Sequence, residues 1–129
     1  MKTGLKLICA GMVFSAMNFG IHSANASDLQ GYECMSLNLT QQQMMDPSVR
    51  VPIKSGPTAE AAVTGNAIAT IIASSPLVET NGYVKVLELN GHIGWIKSGY
   101  LKPWINPGAN GQRCYPAMLQ NGRIGFDYR

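Results

Sequence analysis

Val49, Val51 and Ile53 alternate with Arg50, Pro52 and Lys54, the period-2 pattern of a half-buried strand. Pro52 has no N–H for a ladder, so this strand is expected at an edge or with that position turned outward. Met35, Leu37 and Leu39 alternate beside Cys34 and predict a short N-terminal strand. Ala67 to Ala73, with Ile68, Ile71 and Ile72, is an apolar run of strand length that Ser74-Ser75-Pro76 ends. Asn-Gly occurs at 81–82, 90–91, 110–111 and 121–122. This dipeptide supplies the positive φ angles of a type I′ turn. Two of the four have clear β-prone flanks. Asn90-Gly91 joins Tyr83–Leu89 to His92–Ile96, and Asn121-Gly122 joins Ala117–Gln120 to Arg123–Phe126. No apolar stripe holds helical spacing for three turns after residue 26. Thr58–Ala62 is too short to persist as a helix alone, and Gln41–Met45 reads as a connector. Short strands, frequent turns and no helices predict an all-β domain, a small antiparallel barrel or sandwich.

The start of the chain follows a different pattern. Lys2 and Lys6 precede the uncharged run Leu7–Met17, and Ala24-Asn25-Ala26 closes the segment. A basic start, an apolar middle and an Ala-x-Ala site are the parts of a secretory signal peptide, here residues 1–26. The apolar run falls short of the roughly 20 residues a bilayer span needs, so no stable membrane insertion is expected after cleavage. The protein is therefore expected to be exported, either periplasmic or secreted.

Charge changes meaning once this segment is removed. The whole chain carries 10 Lys+Arg against 7 Asp+Glu. Two of those lysines belong to the signal and none of the acids does, so the remainder is nearly neutral. A nucleic-acid partner loses its electrostatic basis. Charged residues make up 13% and hydrophobic ones 46%, which excludes a disordered polyelectrolyte.

Cys34 and Cys114 remain after cleavage. In an exported domain such a pair is read as a structural disulfide, and without a Cys-x-x-Cys nothing lowers a thiol pKa for redox work. In the chain-entropy model, closing a loop of this size stabilises by roughly 4–5 kcal/mol.

Several pieces in order resemble a known family. Ile53-Lys54-Ser55-Gly56-Pro57-Thr58 is similar to the opening of bacterial SH3-like domains, and Val63-Thr64-Gly65 to the turn that follows it. Asn81-Gly82-Tyr83-Val84-Lys85-Val86, Asn90-Gly91-His92-Ile93-Gly94-Trp95-Ile96 and Ser98-Gly99-Tyr100-Leu101 resemble its later motifs. Two departures stand out: Tyr83 replaces the family's tryptophan, and Ser74-Ser75-Pro76 stands where a charged turn is usual. The resemblance covers residues 49–104 and implies an SH3-like barrel there. Around it, residues 27–48 form an N-terminal segment and residues 105–129 a C-terminal extension with a hairpin. The N-terminal strand and this hairpin are expected to be tied by Cys34 and Cys114.

Catalytic chemistry finds little to work with. His92 is the one histidine after residue 26, beside a tight turn, and no partner for a nucleophilic site stands near it in sequence. Neither a zinc ligand set nor a phosphate loop is present, so no metal or cofactor is expected. Aromatic side chains are the candidates for binding. The resemblance implies that Tyr83, Trp95 and Tyr100 lie near a ligand surface, and Trp104 is added as a further large ring. The expected function is a non-catalytic exported binding module for cell-wall peptidoglycan peptides or a wall-associated protein. The alternative is a soluble periplasmic partner protein, such as an inhibitor, immunity factor or assembly subunit, with no wall binding.

Overall fold

The computed structural model describes Gly11, residues 27–106, Gly108 and residues 110–129; the predicted signal segment lies outside them apart from Gly11. In chain order the elements are β1 (Ser27–Asp28), β2 (Tyr32–Leu37), α1 (Gln41–Met45), β3 (Pro52–Lys54), β4 (Val63–Asn66) and β5 (Ile71–Ser74). There follow β6 (Glu79–Thr80), β7 (Tyr83–Leu87), β8 (Ile93–Lys97), a 3₁₀ turn at Ser98–Tyr100, β9 (Leu101–Pro103), β10 (Cys114–Met118) and β11 (Ile124–Tyr128). The pairings are antiparallel, and the protein is nearly all-β as the sequence patterning predicts.

The larger sheet has the order β4-β3-β8-β7-β5-β2-β9, with β6 added beside β7. Its two ends, β4 and β9, are not paired with each other, so the expected barrel stays open. β2, which precedes the 49–104 stretch, lies inside this sheet between β5 and β9. On its concave side Met35, Leu37, Val51, Ile53, Ile71, Ala73, Val84, Val86, Ile96 and Leu101 form one buried cluster. Full burial of each such aliphatic side chain stabilises by about 1.5–3 kcal/mol. Pro52 costs this core no ladder bond. Ala67 N–H donates to Val51 C=O, so Pro52 sits at a non-hydrogen-bonded position against β4, and β8 pairs with β3 at Lys54, beyond it.

The smaller sheet, β1-β10-β11, is fastened to the other face by the Cys34–Cys114 disulfide, whose Cα atoms are 6.0 Å apart. That second layer explains β5. Ile71 and Ala73 join the concave cluster, whereas Ile72, paired with Cys34 on β2, faces the other way and is only 1% exposed. A strand buried on both faces reads as a continuous apolar run rather than an alternation.

The local expectations fare unevenly. The apolar run from Ala67 becomes strand only from Ile71; residues 67–70 carry the chain from the sheet's end at β4 to its interior at β5 and leave Ile68 exposed. Helix is not absent. α1 forms because Thr40 Oγ1 accepts from Gln43 N–H and Gln43 Oε1 accepts from Thr40 N–H, a capping box around a five-residue helix. Thr58–Ala62 is a turn, with Thr58 Oγ1 accepting from Ala61 N–H.

The Asn-Gly turns also divide. At Asn90-Gly91 and Asn121-Gly122 only the glycine has positive φ, and each asparagine side chain accepts from the N–H two residues on. Both hairpins therefore use a type I turn followed by a left-handed glycine rather than type I′. Both residues of Asn81-Gly82 have positive φ, giving a two-residue hairpin between β6 and β7 where the sequence flanks had not marked one.

Candidate functional site

The four aromatic candidates do not form one patch. Each is partly buried. Tyr83 and Trp95 lie on the convex face of β7 and β8, opposite in sense to the buried Val84, Val86 and Ile96. There the register sets Trp95 directly between two lysines, Lys85 on β7 and Lys54 on β3, with Tyr83 opposite Lys97 two pairs along. Lys54 Nζ is occupied, donating to Ala59 C=O and Ala61 C=O at 3.1 and 3.4 Å. Tyr100 instead packs against the core cluster, and its carbonyl accepts from Asn38 N–H.

Trp104 is built into a different surface. Pro103 ends β9, and the chain then turns under the C-terminal hairpin, where Ile105 N–H donates to Ser36 Oγ at 3.1 Å. β11 alternates Ile124, Phe126 and Tyr128 on the face that also carries Cys114, so the disulfide orients this row toward the larger sheet. The result is an aromatic run: Trp104 and Tyr128 have ring centroids 6.1 Å apart, Phe126 and Tyr128 6.4 Å, both tilted. Such geometry adds about 0.5–1.5 kcal/mol per pair beyond area burial.

Trp104 and Tyr128 form the wall of an open groove of about 510 Å³. Leu37, Met44, Ala69 and Ile105 complete its apolar surface. Its rim is a set of amides that hold one another: Asn106 Nδ2 donates to Asn110 Oδ1 (2.8 Å) and Gln112 C=O (3.1 Å), and Asn110 Nδ2 donates to Gln112 Oε1 (3.0 Å). Lys102 is the one charged side chain in the lining, among the described residues. An apolar floor with a few fixed polar groups is the usual make-up of a ligand site. Rings offer stacking area, amides can donate to or accept from a peptide backbone, and the ammonium can meet a carboxylate.

The far side of the small sheet is a clamp of charge. Arg129 bridges Asp28, at 2.7 Å, and Asp127, and its guanidinium lies 4.0 Å from the Tyr115 ring centroid. The carboxylates, Asp28 first, hold the guanidinium proton more tightly than usual. This ties β1 to the end of β11 without touching the groove.

Sequence reasoning located Trp104 but not Tyr128 as its partner, nor Met44, Ile105 and the amide rim. Trp104 and Tyr128 are far apart in sequence, and the antiparallel register of β10 with β11, together with the Cys34–Cys114 bond, brings them together. His92 stands exposed in the β7–β8 turn, its N–H donating to Asn90 Oδ1. Among the described residues no group of three or more His, Cys, Asp or Glu is placed to hold a metal, and no helix is long and apolar enough to cross a membrane. No family model, no curated protein and no solved structure matches the chain.

Proposed function

We propose that the protein is an exported, non-catalytic binding module that takes a cell-wall peptide in the Trp104–Tyr128 groove. The observation that carries this reading is the groove's composition: two tilted rings 6.1 Å apart, an interlocked amide rim and a single lysine. An extended peptide with a free carboxylate would satisfy all three. The disulfide supports an oxidising compartment, in line with the signal-like residues 1–26. The resemblance of residues 49–104 to bacterial SH3-like domains points to the same class of ligand.

Sedimentation with purified sacculi tests the reading. The mature protein should pellet with the wall at low salt, and Trp104→Ala should reduce the bound fraction about tenfold. If the wild type stays in the supernatant, wall binding is wrong. A stoichiometric protein partner, captured by crosslinking in periplasm and unaffected by removing the wall, would then support the soluble-partner alternative.

A further inference from the structure

A second cavity, of about 410 Å³, lies between residues 66–70 and the β7–β8 turn. Its floor is core: Ile53, Ile71 and Val86. Phe126 of the C-terminal hairpin closes one wall, and Ile68 (86% exposed) and Leu89 (58% exposed) stand at the lip. Large aliphatic side chains left this open around an apolar floor mark a binding surface.

Among the described residues a single ionisable side chain lines this cavity, Glu88. Its carboxylate is seated over two glycines. One oxygen is 3.2 Å from where a Cβ on Gly65 would stand, and the other 3.6 Å from the same point on Gly94. A side chain at Gly65 would crowd the carboxylate, whereas one at Gly94 would meet Ile53 Cγ2 first. Among the described residues the Glu88 side chain has no cation within ion-pair distance and accepts no hydrogen bond, while its backbone carbonyl accepts from Gly91 N–H. A carboxylate beside aliphatic walls offers an unpaired negative charge that a cation can meet with a charge-assisted hydrogen bond.

We propose that this cavity binds a primary aliphatic amine, with the alkyl stem on the Ile53–Ile71–Val86 floor and the ammonium on Glu88. The site adjoins the Trp104 groove, sharing Ala69 and Thr70 with its lining, and its ligand is recognised by the opposite charge.

The experiment is a ¹H–¹⁵N shift titration of the oxidised protein with n-hexylammonium, beside n-hexanol and hexanoate. Hexylammonium should shift the amides of Gly65, Gly94 and Leu89 and bind at least about tenfold tighter than hexanol. Glu88→Gln, which keeps shape and removes charge, should erase that preference. Ile68→Ser, at an exposed lip position that the fold does not depend on, should weaken hexylammonium and hexanol alike. Equal binding of amine and alcohol, an unchanged preference in Glu88→Gln, or shifts confined to residues around Trp104 would overturn the proposal. None of these readouts uses wall material, so the result stands apart from the sacculus experiment.

Discussion

Trp104 and Tyr128 face each other with ring centroids 6.1 Å apart, one at the end of the large sheet and the other on the last strand of the small one. The pair is both a seam between layers and a wall of the groove. Truncation therefore has two effects. Trp104→Ala should lower stability by about 2 kcal/mol, below the 3–5 kcal/mol of a fully buried ring, because the side chain is only partly covered. Trp104→Phe should recover most of that loss. Urea denaturation measures the stability and sacculus pelleting the binding; a Trp104→Ala protein that still binds the wall would remove this pair from the site.

The Cys34–Cys114 bond closes a loop over a sequence separation of 80. Replacing both cysteines by alanine should cost up to about 4–5 kcal/mol, a large share of the 5–15 kcal/mol typical of a small domain. Because Tyr128 of β11 lines the groove, ligand binding should be lost at lower urea than the signal of the large sheet. Coincident loss of both would show that the hairpin stays docked without its tether.

Gly94 stands in mid-strand against the side chain of Ile53, and a Cβ there would overlap Ile53 Cγ2. Gly94→Ala should destabilise by about 1–3 kcal/mol through overpacking. In a double-mutant cycle, Ile53→Ala should cost less in the Gly94→Ala background than in the wild type. Additive effects would mean that the strand shifts rather than clashes.

Asp46 titrates below the ordinary carboxylate value because Ser48 donates to it, from its hydroxyl (2.7 Å) and then from its backbone N–H (2.9 Å). Both bonds favour the charged form in the folded state. Their contribution is present above the ordinary value of 3.8 and is lost as pH falls through the lowered one. Ser48→Ala should move the Asp46 midpoint up toward 3.8, as read by carboxyl ¹³C shifts. No movement would reassign the shift to other causes.

Much of the fold could be read from residues that act locally. Val51 and Ile53, and Met35 and Leu37, alternate because one face of each strand meets the core, and they are buried as their spacing predicts. The two hairpins at Asn90-Gly91 and Asn121-Gly122 were placed correctly, but not their turn type, since Asn90 and Asn121 use their side chains instead of a left-handed backbone. α1 is legible in principle, because Thr40 and Gln43 have capping-box spacing, but the polar glutamine run reads as a connector. The groove was not legible. Tyr128 meets Trp104 through the pairing of β10 with β11 and the disulfide anchor, and neither leaves a periodic trace near either ring. Ile68 was misplaced for a related reason: an apolar run says that burial is available nearby, not which residues of the run receive it.

β5 belongs to both layers at once, Ile71 and Ala73 to one and Ile72 to the other. The molecule therefore lacks a natural fault line. Lifting the C-terminal hairpin would wet the back of the same strand whose front holds the core together, so with the disulfide intact the two layers should melt as one unit. Amide protons of Ile72 and Ala73, flanked on both edges by β2 and β7, should exchange with solvent only through global opening, and their protection should equal the full unfolding free energy.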